Sequence, residues 1–169
     1  ANPDLRLLYL HGGGWVSGSG GNYLALAADI SVAAKCAVLL PDYRLAPEHP
    51  FPAGLEDCIA AHDWLIGNGP SGPNPAKATF IAGDSAGGNL TLATLLALRD
   101  RKRPLPAGGI ALSPTTDLTL ASDSLRTVND PIISARTMPV FRELYLGKTD
   151  PRNPLASPVF GDYHGIPPL

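Results

Sequence analysis

The segment that most constrains this chain is GDSAG at residues 83–87, because it joins an apolar strand-like run to an apolar helix-like run. The run before it covers 78–81 and the run after it covers 89–98. A sharp turn between a strand and a helix favours glycine, since a Cβ would meet nearby backbone atoms. Ser85 at the centre of such a turn presents its Oγ above the sheet, where it can act as a nucleophile. The alternative interpretation is a glycine-rich helix entry without chemistry.

A second glycine-rich segment, HGGGW at residues 11–15, follows another strand-like run at 5–10. In acyl transfer the carbonyl oxygen becomes an oxyanion, and a loop of glycines can direct bare backbone N–H groups at it. Loops of this kind accompany the serine turn. Together the two segments predict an acyl-transfer site with Ser85 as its nucleophile. The candidate oxyanion donors are the N–H groups of two among Gly12, Gly13 and Gly14, together with that of Ala86.

Strand-like and helix-like runs alternate along the chain, which predicts an α/β fold with a mostly parallel sheet and helices on both faces. A helix that is apolar nearly all round follows Ser85, as is typical of a helix buried against a sheet. The loop at 41–52 contains four prolines, which exclude helix and inner strand there. The expected strands lie near 5–10, 37–40, 78–83 and 108–113, and the other expected helices cover 22–35 and 53–66.

Several polar residues are expected to support the site without taking part in the chemistry. Arg44 and Glu48 are expected to tie the proline-rich loop beneath the HGGG loop, and Asp84 to order the serine turn. His62 lies on the apolar face of the helix predicted at 53–66. We expect it to be a buried, hydrogen-bonded core residue, and the alternative is a ligand or a base.

Composition excludes several classes of function. The chain has 169 residues and a net charge of −2, which fits one domain and gives no electrostatic attraction to nucleic acid or an acidic membrane. The basic run at 99–103 is interpreted as a solvated helix end. No apolar run is long enough to span a membrane, and no signal peptide opens the chain. Its two cysteines match no metal or redox spacing and are expected to be buried thiols, which favours a cytoplasmic location.

In these segments the chain resembles the bacterial hormone-sensitive lipase family of α/β-hydrolase carboxylesterases. The resemblance implies a serine esterase for short-acyl or compact esters, with no metal or organic cofactor, and a role for His11 in shaping the HGGG loop. It also implies that the four strands form the middle of an eight-stranded sheet, in the order second, first, third, fourth. Thr115 stands where the family often has an aromatic residue, at the wall of the acyl pocket. The resemblance is carried by HGGGW at 11–15, DYRLAPEHPFPA at 42–53, GDSAGGNL at 83–90, LSPTTDLT at 112–119 and NPLASPVFGDYHGIPPL at 153–169.

A serine nucleophile needs an imidazole base that a carboxylate orients, in the chain order serine, acid, histidine. Within the chain only a late aspartate such as Asp117 and then His164 follow that order. His164 precedes the lead-in to a further strand at 165–169, so we expect it at the opposite end of the sheet from Ser85. The resemblance implies that the acid and the histidine lie beyond residue 169. We therefore expect a chain incomplete at both ends, with the 169 residues alone inactive.

Two other functions remain open: a non-catalytic small-ligand receptor on the same fold, and an inactive truncated scaffold. We expect residues 1–169 to be a partial catalytic domain, with 115–157 a cap or lid inserted after a strand at the catalytic end of the sheet. A helix is predicted at 134–146. It is expected to present its apolar residues to a partner surface, namely Met138, Phe141, Leu144 and Tyr145.

Overall fold

The computed structural model describes residues 2–128, 130–133 and 136–169. All four predicted strands are present, within a few residues of their expected bounds. The strands are β1 (Asn2–Leu10), β2 (Cys36–Leu39), β3 (Asn68–Gly69), β4 (Gly72–Pro73), β5 (Ala78–Asp84) and β6 (Gly108–Leu112). The helices are α1 (Leu24–Ala34), α2 (Ala53–Gly67), α3 (Ala86–Asp100), α4 (Ser124–Thr127) and α5 (Thr137–Leu146), with 3-10 turns at Gly20–Tyr23 and Pro158–Phe160.

The main sheet has four parallel strands in the order β2-β1-β5-β6, and this order is the one expected from the resemblance. β1 and β5 are the central pair, and Leu10 at the end of β1 lies beside Gly83 of β5. The HGGG loop and the serine turn therefore leave neighbouring strands at the same edge of the sheet. That edge holds the carboxyl ends of the strands, where open α/β sheets place their ligands.

Side chains alternate across the sheet, as the pleat of a strand requires. Leu8 and Leu10 of β1 face a core that α2 and α3 cover. Leu7 and Tyr9 point to the opposite face, where Ile30 of α1 covers a smaller cluster. The expectation of helices on both faces is confirmed.

Helix α3 is buried from its first residue through Leu98, as its apolar sequence predicted. The basic run at its end, however, is not merely solvated. Arg101 forms an ion pair with Glu56 of α2 at 2.5 Å, and Arg103 forms another with Asp63 at 2.7 Å. These partly exposed pairs hold the end of α3 against α2, and each contributes at most about 1 kcal/mol.

The prediction for α5 was wrong about its partner surface. Met138 and Tyr145 are buried within this chain, and the Tyr145 ring stacks on that of Trp15 with centroids 4.4 Å apart. The carbonyl of Tyr145 also accepts a hydrogen bond from the Phe51 N–H at 2.7 Å. The HGGGW loop and the proline-rich loop therefore cover part of the apolar face of α5, whereas Leu144 is 37% exposed, as predicted. The helix begins at Thr137, and the predicted start at Ser134 lies outside the described residues.

The two outer strands of the sheet, β2 and β6, differ in what lies along their outer edges. Along β6, Gly109 donates its N–H to the carbonyl of Pro168 at 2.8 Å, so the last residues of the chain run beside that strand. Ile110 and Leu112 of β6 are 52% and 48% exposed, because α1 covers only the other half of that face. Across the ranges described, β2 has no strand on its outer side.

Both cysteines, Cys36 and Cys58, are free and buried, as predicted. Cys36 opens β2 and does not belong to a helix, whereas Cys58 lies on the buried face of α2. None of the helices in the described ranges combines the length and the apolar character that crossing a membrane requires.

Candidate active site

Ser85 occupies the turn between β5 and α3 with φ 53° and ψ −116°. Non-glycine residues rarely adopt a positive φ, and such strain concentrates at functional sites. Two hydrogen bonds fix the turn: the Ser85 N–H donates to Leu112 O at 2.9 Å, and the Ser85 carbonyl accepts from the Asn89 N–H at 3.0 Å. In the described parts of the chain, no side chain hydrogen bonds to Ser85 Oγ. The hydroxyl is half-buried and available to an incoming group.

The two glycines of the GDSAG segment permit this turn because backbone packs directly on them. A Cβ on Gly83 would lie 2.5 Å from the carbonyl oxygen of Gly87. A Cβ on Gly87 would lie 1.9 Å from the carbonyl oxygen of Leu10. The first turn of α3 thus rests against the end of β1 with no space for a side chain. This contact sets the serine turn at a fixed position beside the HGGG loop.

Helix α3 begins at Ala86, directly after the serine. Its N-terminus carries unpaired N–H groups and the positive end of the helix dipole, which favour a developing negative charge. No acceptor for the Ala86 N–H lies within the described ranges. This group is therefore free to donate to an oxyanion beside Ser85.

The middle of the HGGG loop is a tight turn that requires glycine. Gly13 has φ 127° and Gly14 has φ 62°. The carbonyl of Gly13 accepts the N–H groups of Val16 at 3.2 Å and Ser17 at 3.1 Å. The N–H groups of Gly13 and Gly14 have no acceptor in the part of the chain that the structure describes. The loop therefore offers two free donors.

Gly12 differs from the two glycines that follow it, because its N–H already has an acceptor within the chain. Its N–H donates to the phenolic oxygen of Tyr23 at 3.1 Å. The phenol of Tyr23 donates in turn to Asp84 Oδ2 at 3.0 Å, and that of Tyr9 donates to Asp84 Oδ1 at 3.1 Å. The Gly12 N–H is therefore bonded to Tyr23 and is not free to bind an oxyanion. The sequence did not single out Tyr23.

Both phenols beside Asp84 are held in their protonated form. Burial raises the pKa of Tyr9, and the charge and hydrogen bond of Asp84 raise it further. Burial also raises the pKa of Tyr23, with the Gly12 hydrogen bond opposing and Asp84 reinforcing the shift. Each phenol therefore remains a donor to the carboxylate. These two contacts fix the carboxylate of Asp84, the residue directly before Ser85.

His11 is buried at the start of the loop, and its Nδ1 donates to the carbonyl of Gly12 at 2.7 Å. Its ring stacks on that of Tyr43 at 4.3 Å, and the Tyr43 hydroxyl donates to the His11 carbonyl at 2.6 Å. The ring makes no hydrogen bond to Ser85. These contacts support the loop-shaping role expected for His11.

Arg44 and Glu48 do not tie the proline-rich loop to the HGGG loop, contrary to the sequence-based expectation. Its guanidinium bonds to Asp57 of α2 at 2.8 Å, and its N–H donates to the same carboxylate at 2.9 Å. Burial alone would raise the pKa of Asp57, but the hydrogen bonds from Arg44 bring it below its usual range. Glu48 is exposed. Arg44 therefore fastens the proline-rich loop to α2. The tie between that loop and the HGGGW loop is made by the Ala46 N–H, which donates to the Trp15 carbonyl at 2.9 Å, and by the Tyr43 hydroxyl.

His62 and His164 contact residues other than Ser85. His62 is fully buried, as predicted, and its Nε2 lies 3.0 Å from Thr79 Oγ1 near the start of β5. The carbonyl of His164 accepts from Arg99 at 2.9 Å, near the far end of α3. At about 1.5 Å per residue, that end of the helix is on the order of 20 Å from the serine. A triad built from Ser85 and His164 is thereby excluded.

The remaining polar candidates also face other partners. His164 Nδ1 contacts Asp162 Oδ1 at 2.5 Å, and His49 is exposed on the proline-rich loop. Asp117 accepts the Thr119 N–H at 2.8 Å within its own turn. The structure thus brings Ser85, the glycine loop and Asp84 together, and it brings no imidazole to the serine. Among the described residues there is also no cluster of side chains suited to a metal ion.

A groove of about 380 Å³ is lined by residues of the 115–138 segment, with Thr115, Asp117 and Met138 among its walls. Neither Ser85 nor the HGGG loop lines it. The Thr115 N–H donates to the Ser85 carbonyl at 3.3 Å. Asn89 of α3 donates to the carbonyls of Thr115 at 2.7 Å and Ala156 at 2.9 Å. One amide therefore fastens both ends of the 115–157 segment to the helix that follows the nucleophile. The sequence showed Asn89 only as part of a motif.

Helix α5 closes over the glycine loop from the other side. A Cβ on Gly14 would lie 2.8 Å from the ring of Phe141. Phe141 therefore packs on the loop that carries the free donors, and it forms part of the wall above them.

The fold agrees with what comparison with known proteins shows. The chain belongs to the α/β-hydrolase fold family, which matches residues 7–169. Its resemblance to the bacterial hormone-sensitive lipase group is confirmed by the crystal structure of an esterase of that group. That esterase is 45% identical with a TM-score of 0.89, and the match covers 100% of this chain and 56% of the other. A crystal structure of EstE5 soaked with p-nitrophenyl butyrate has a TM-score of 0.88 and 44% identity, over 98% of this chain and 55% of that one.

Curated relatives are also ester hydrolases by name. An acetyl-hydrolase of Streptomyces hygroscopicus is 44% identical over 100% of this chain and 56% of its own length. An esterase of Acinetobacter venetianus is 35% identical over 99% of this chain and 55% of its own length. The chain thus spans about half the length of the curated relatives it matches.

Proposed function

We propose that the full-length protein is a serine carboxylesterase that cleaves short-acyl or compact esters through an acyl-enzyme on Ser85. The observation that carries this proposal is the positive-φ serine between β5 and α3, with its hydroxyl free beside the HGGG loop. In this reaction Ser85 Oγ attacks the ester carbonyl and its proton passes to an imidazole. The same proton then goes to the leaving alcohol, and water releases the acid.

The negative charge of the tetrahedral intermediate would be held by the N–H groups of Gly13, Gly14 and Ala86. All three are free within the described ranges, and they come from the two segments that meet beside Ser85. Fixed backbone donors of this kind stabilise the transition state without reorganising during the reaction. Gly12 is left out of this set because Tyr23 already accepts its N–H.

The base and the acid of the triad are assigned to the part of the protein outside residues 1–169. This assignment is supported by the positions of all four histidines, none of which bonds to Ser85 in the structure. Without a base the serine loses several orders of magnitude in rate. Residues 1–169 alone are therefore expected to be inactive towards esters.

The proposed substrate class rests on the relatives and on the site together. One relative is named an acetyl-hydrolase, and a similar crystal was soaked with p-nitrophenyl butyrate. Phe141 packs against Gly14 of the oxyanion loop. Its ring limits the space beside the proposed donors, which favours a small acyl group.

The test is the Ser85→Ala variant of the full-length protein, assayed with short p-nitrophenyl esters and a fluorophosphonate probe. We expect the variant to lose both turnover and labelling while its Tm stays close to that of the wild type. The matched control is Ser71→Ala in the exposed turn between β3 and β4, which should leave both readouts unchanged. Probe labelling that survives in Ser85→Ala would assign the nucleophile to another residue. A wild type that neither labels nor hydrolyses would favour the receptor function instead.

A further inference from the structure

We propose that Tyr23 is a positioning residue that sets the oxyanion loop relative to the nucleophile by linking Gly12 to Asp84. The proposal rests on the proposed esterase function and names a residue that the motifs do not contain. The Tyr23 hydroxyl accepts the Gly12 N–H at 3.1 Å and donates to Asp84 Oδ2 at 3.0 Å. Asp84 immediately precedes Ser85, so a single phenol joins the segments that carry the nucleophile and the donors.

The link is close because Gly12 is pressed against the carboxylate. A Cβ on Gly12 would lie 2.4 Å from Asp84 Oδ2 and 3.2 Å from the Tyr23 hydroxyl. Neither a side chain nor a water molecule fits between these groups. The position of the loop at Gly12 therefore follows the position of the phenol, and Gly13 is the next residue along.

The polarity of the link also has a consequence for the reaction. An ionised carboxylate only accepts hydrogen bonds. Without donors beside it, the negative charge of Asp84 would disfavour an oxyanion at the neighbouring loop. Instead, both of its oxygens are covered by phenol donors, those of Tyr9 and Tyr23. Donation to a charged acceptor polarises the Tyr23 oxygen and makes it a better acceptor for the Gly12 N–H. The chain of bonds therefore fixes the loop and shields the site from the Asp84 charge.

Tyr9 provides a matched comparison within the same cluster. Its hydroxyl bonds to the other oxygen of Asp84 at 3.1 Å, and its ring lies 5.8 Å from that of Tyr23. No bond from Tyr9 to the HGGG loop occurs in the described ranges. Removing the hydroxyl of Tyr9 therefore disturbs the carboxylate alone, whereas removing that of Tyr23 also releases the loop.

The experiment compares Tyr23→Phe with Tyr9→Phe in the full-length enzyme, with active sites counted by fluorophosphonate titration. We expect kcat per titrated site to fall about 10- to 100-fold in Tyr23→Phe, since small misplacements of a reacting group cost up to about 100-fold. KM should stay within about threefold. Tyr9→Phe should lose much less activity. A trifluoromethyl ketone, which forms a tetrahedral oxyanion on the serine, should bind Tyr23→Phe more weakly by a similar factor.

A second comparison tests whether Tyr23 acts through Asp84. The double variant Tyr23→Phe with Asp84→Asn should be no slower than the slower single variant, because both changes break one chain of bonds. Fully additive losses would overturn the link. A Tyr23→Phe enzyme that melts earlier but keeps its kcat and its affinity for the ketone would show a purely structural role. Both outcomes presuppose an active wild type, so they are distinct from failure of the esterase function itself.

Discussion

Replacing Gly13 by alanine tests the structural basis of the oxyanion loop most directly. The added Cβ would lie 2.1 Å from the carbonyl oxygen of Ser17, at a backbone φ of 127°. Strain of this type costs about 1–3 kcal/mol. The turn can relieve it only by opening, which breaks the hydrogen bonds from Val16 and Ser17 to the Gly13 carbonyl. We therefore expect the loop of Gly13→Ala to lose its catalytic geometry while the sheet beneath it stays folded.

The expected size of the effect follows from the donors that the loop carries. Loss of one oxyanion donor lowers kcat by about 10²- to 10³-fold, and opening the turn displaces the N–H groups of both Gly13 and Gly14. The assay is kcat on p-nitrophenyl acetate, with active sites counted by a fluorophosphonate probe. Gly21→Ala is the control, because its Cβ would lie an ordinary 3.5 Å from Ser19 Oγ. A fall of less than threefold in Gly13→Ala would place Gly13 outside the oxyanion site.

Three further predictions concern packing, pH and acyl length. Gly87→Ala, whose Cβ would lie 1.9 Å from a β1 carbonyl, should lower the free energy of unfolding by at least about 1–3 kcal/mol in urea titrations. Gly67→Ala, which has open space around it, should not, and equal effects would contradict the packing argument. Burial lowers the pKa of His62 from its ordinary 6.5. Below pH 6.5, His62 is therefore protonated in the unfolded chain but stays neutral in the folded chain. Wild-type stability should then fall by up to about 1.4 kcal/mol per pH unit, and less so in His62→Gln; identical pH slopes of Tm would refute this. Phe141→Ala removes a ring that packs on the oxyanion loop, so it should raise kcat/KM for p-nitrophenyl octanoate relative to p-nitrophenyl acetate. An unchanged ratio would show that Phe141 does not limit the length of the acyl chain.

The features that the sequence predicted well are those set by local pattern. The parallel strands and their order follow from apolar runs alternating with helices and from the resemblance. The turn at Ser85 follows from the glycines on either side of it. The burial of His62 follows from helical spacing on α2. In each case the information lies within one element or between neighbouring elements.

The features that the sequence did not reveal depend on contacts between distant segments. Tyr23 meets Asp84 across 61 residues, and Asn89 meets Ala156 across 67. Arg44 and Glu48 lie close in sequence, which suggested a shared role beneath the HGGG loop, yet Glu48 is exposed and Arg44 bonds elsewhere. Its true partner is 13 residues away on α2. Hydrogen-bond partners of this kind follow from the tertiary fold and have no local signature.

The three glycines of the HGGG loop restrict its backbone very little, so contacts with the surrounding residues have to hold the loop in place. Below the loop, Tyr23 holds Gly12 to the carboxylate next to the nucleophile. Above it, Phe141 packs on Gly14, and Tyr145 stacks on Trp15 at the end of the loop. Trp15 and Tyr145 are each at most 3% exposed, so movement of α5 away from the loop would uncover two large aromatic rings. Helix α5 is therefore a fixed wall beside the glycine loop.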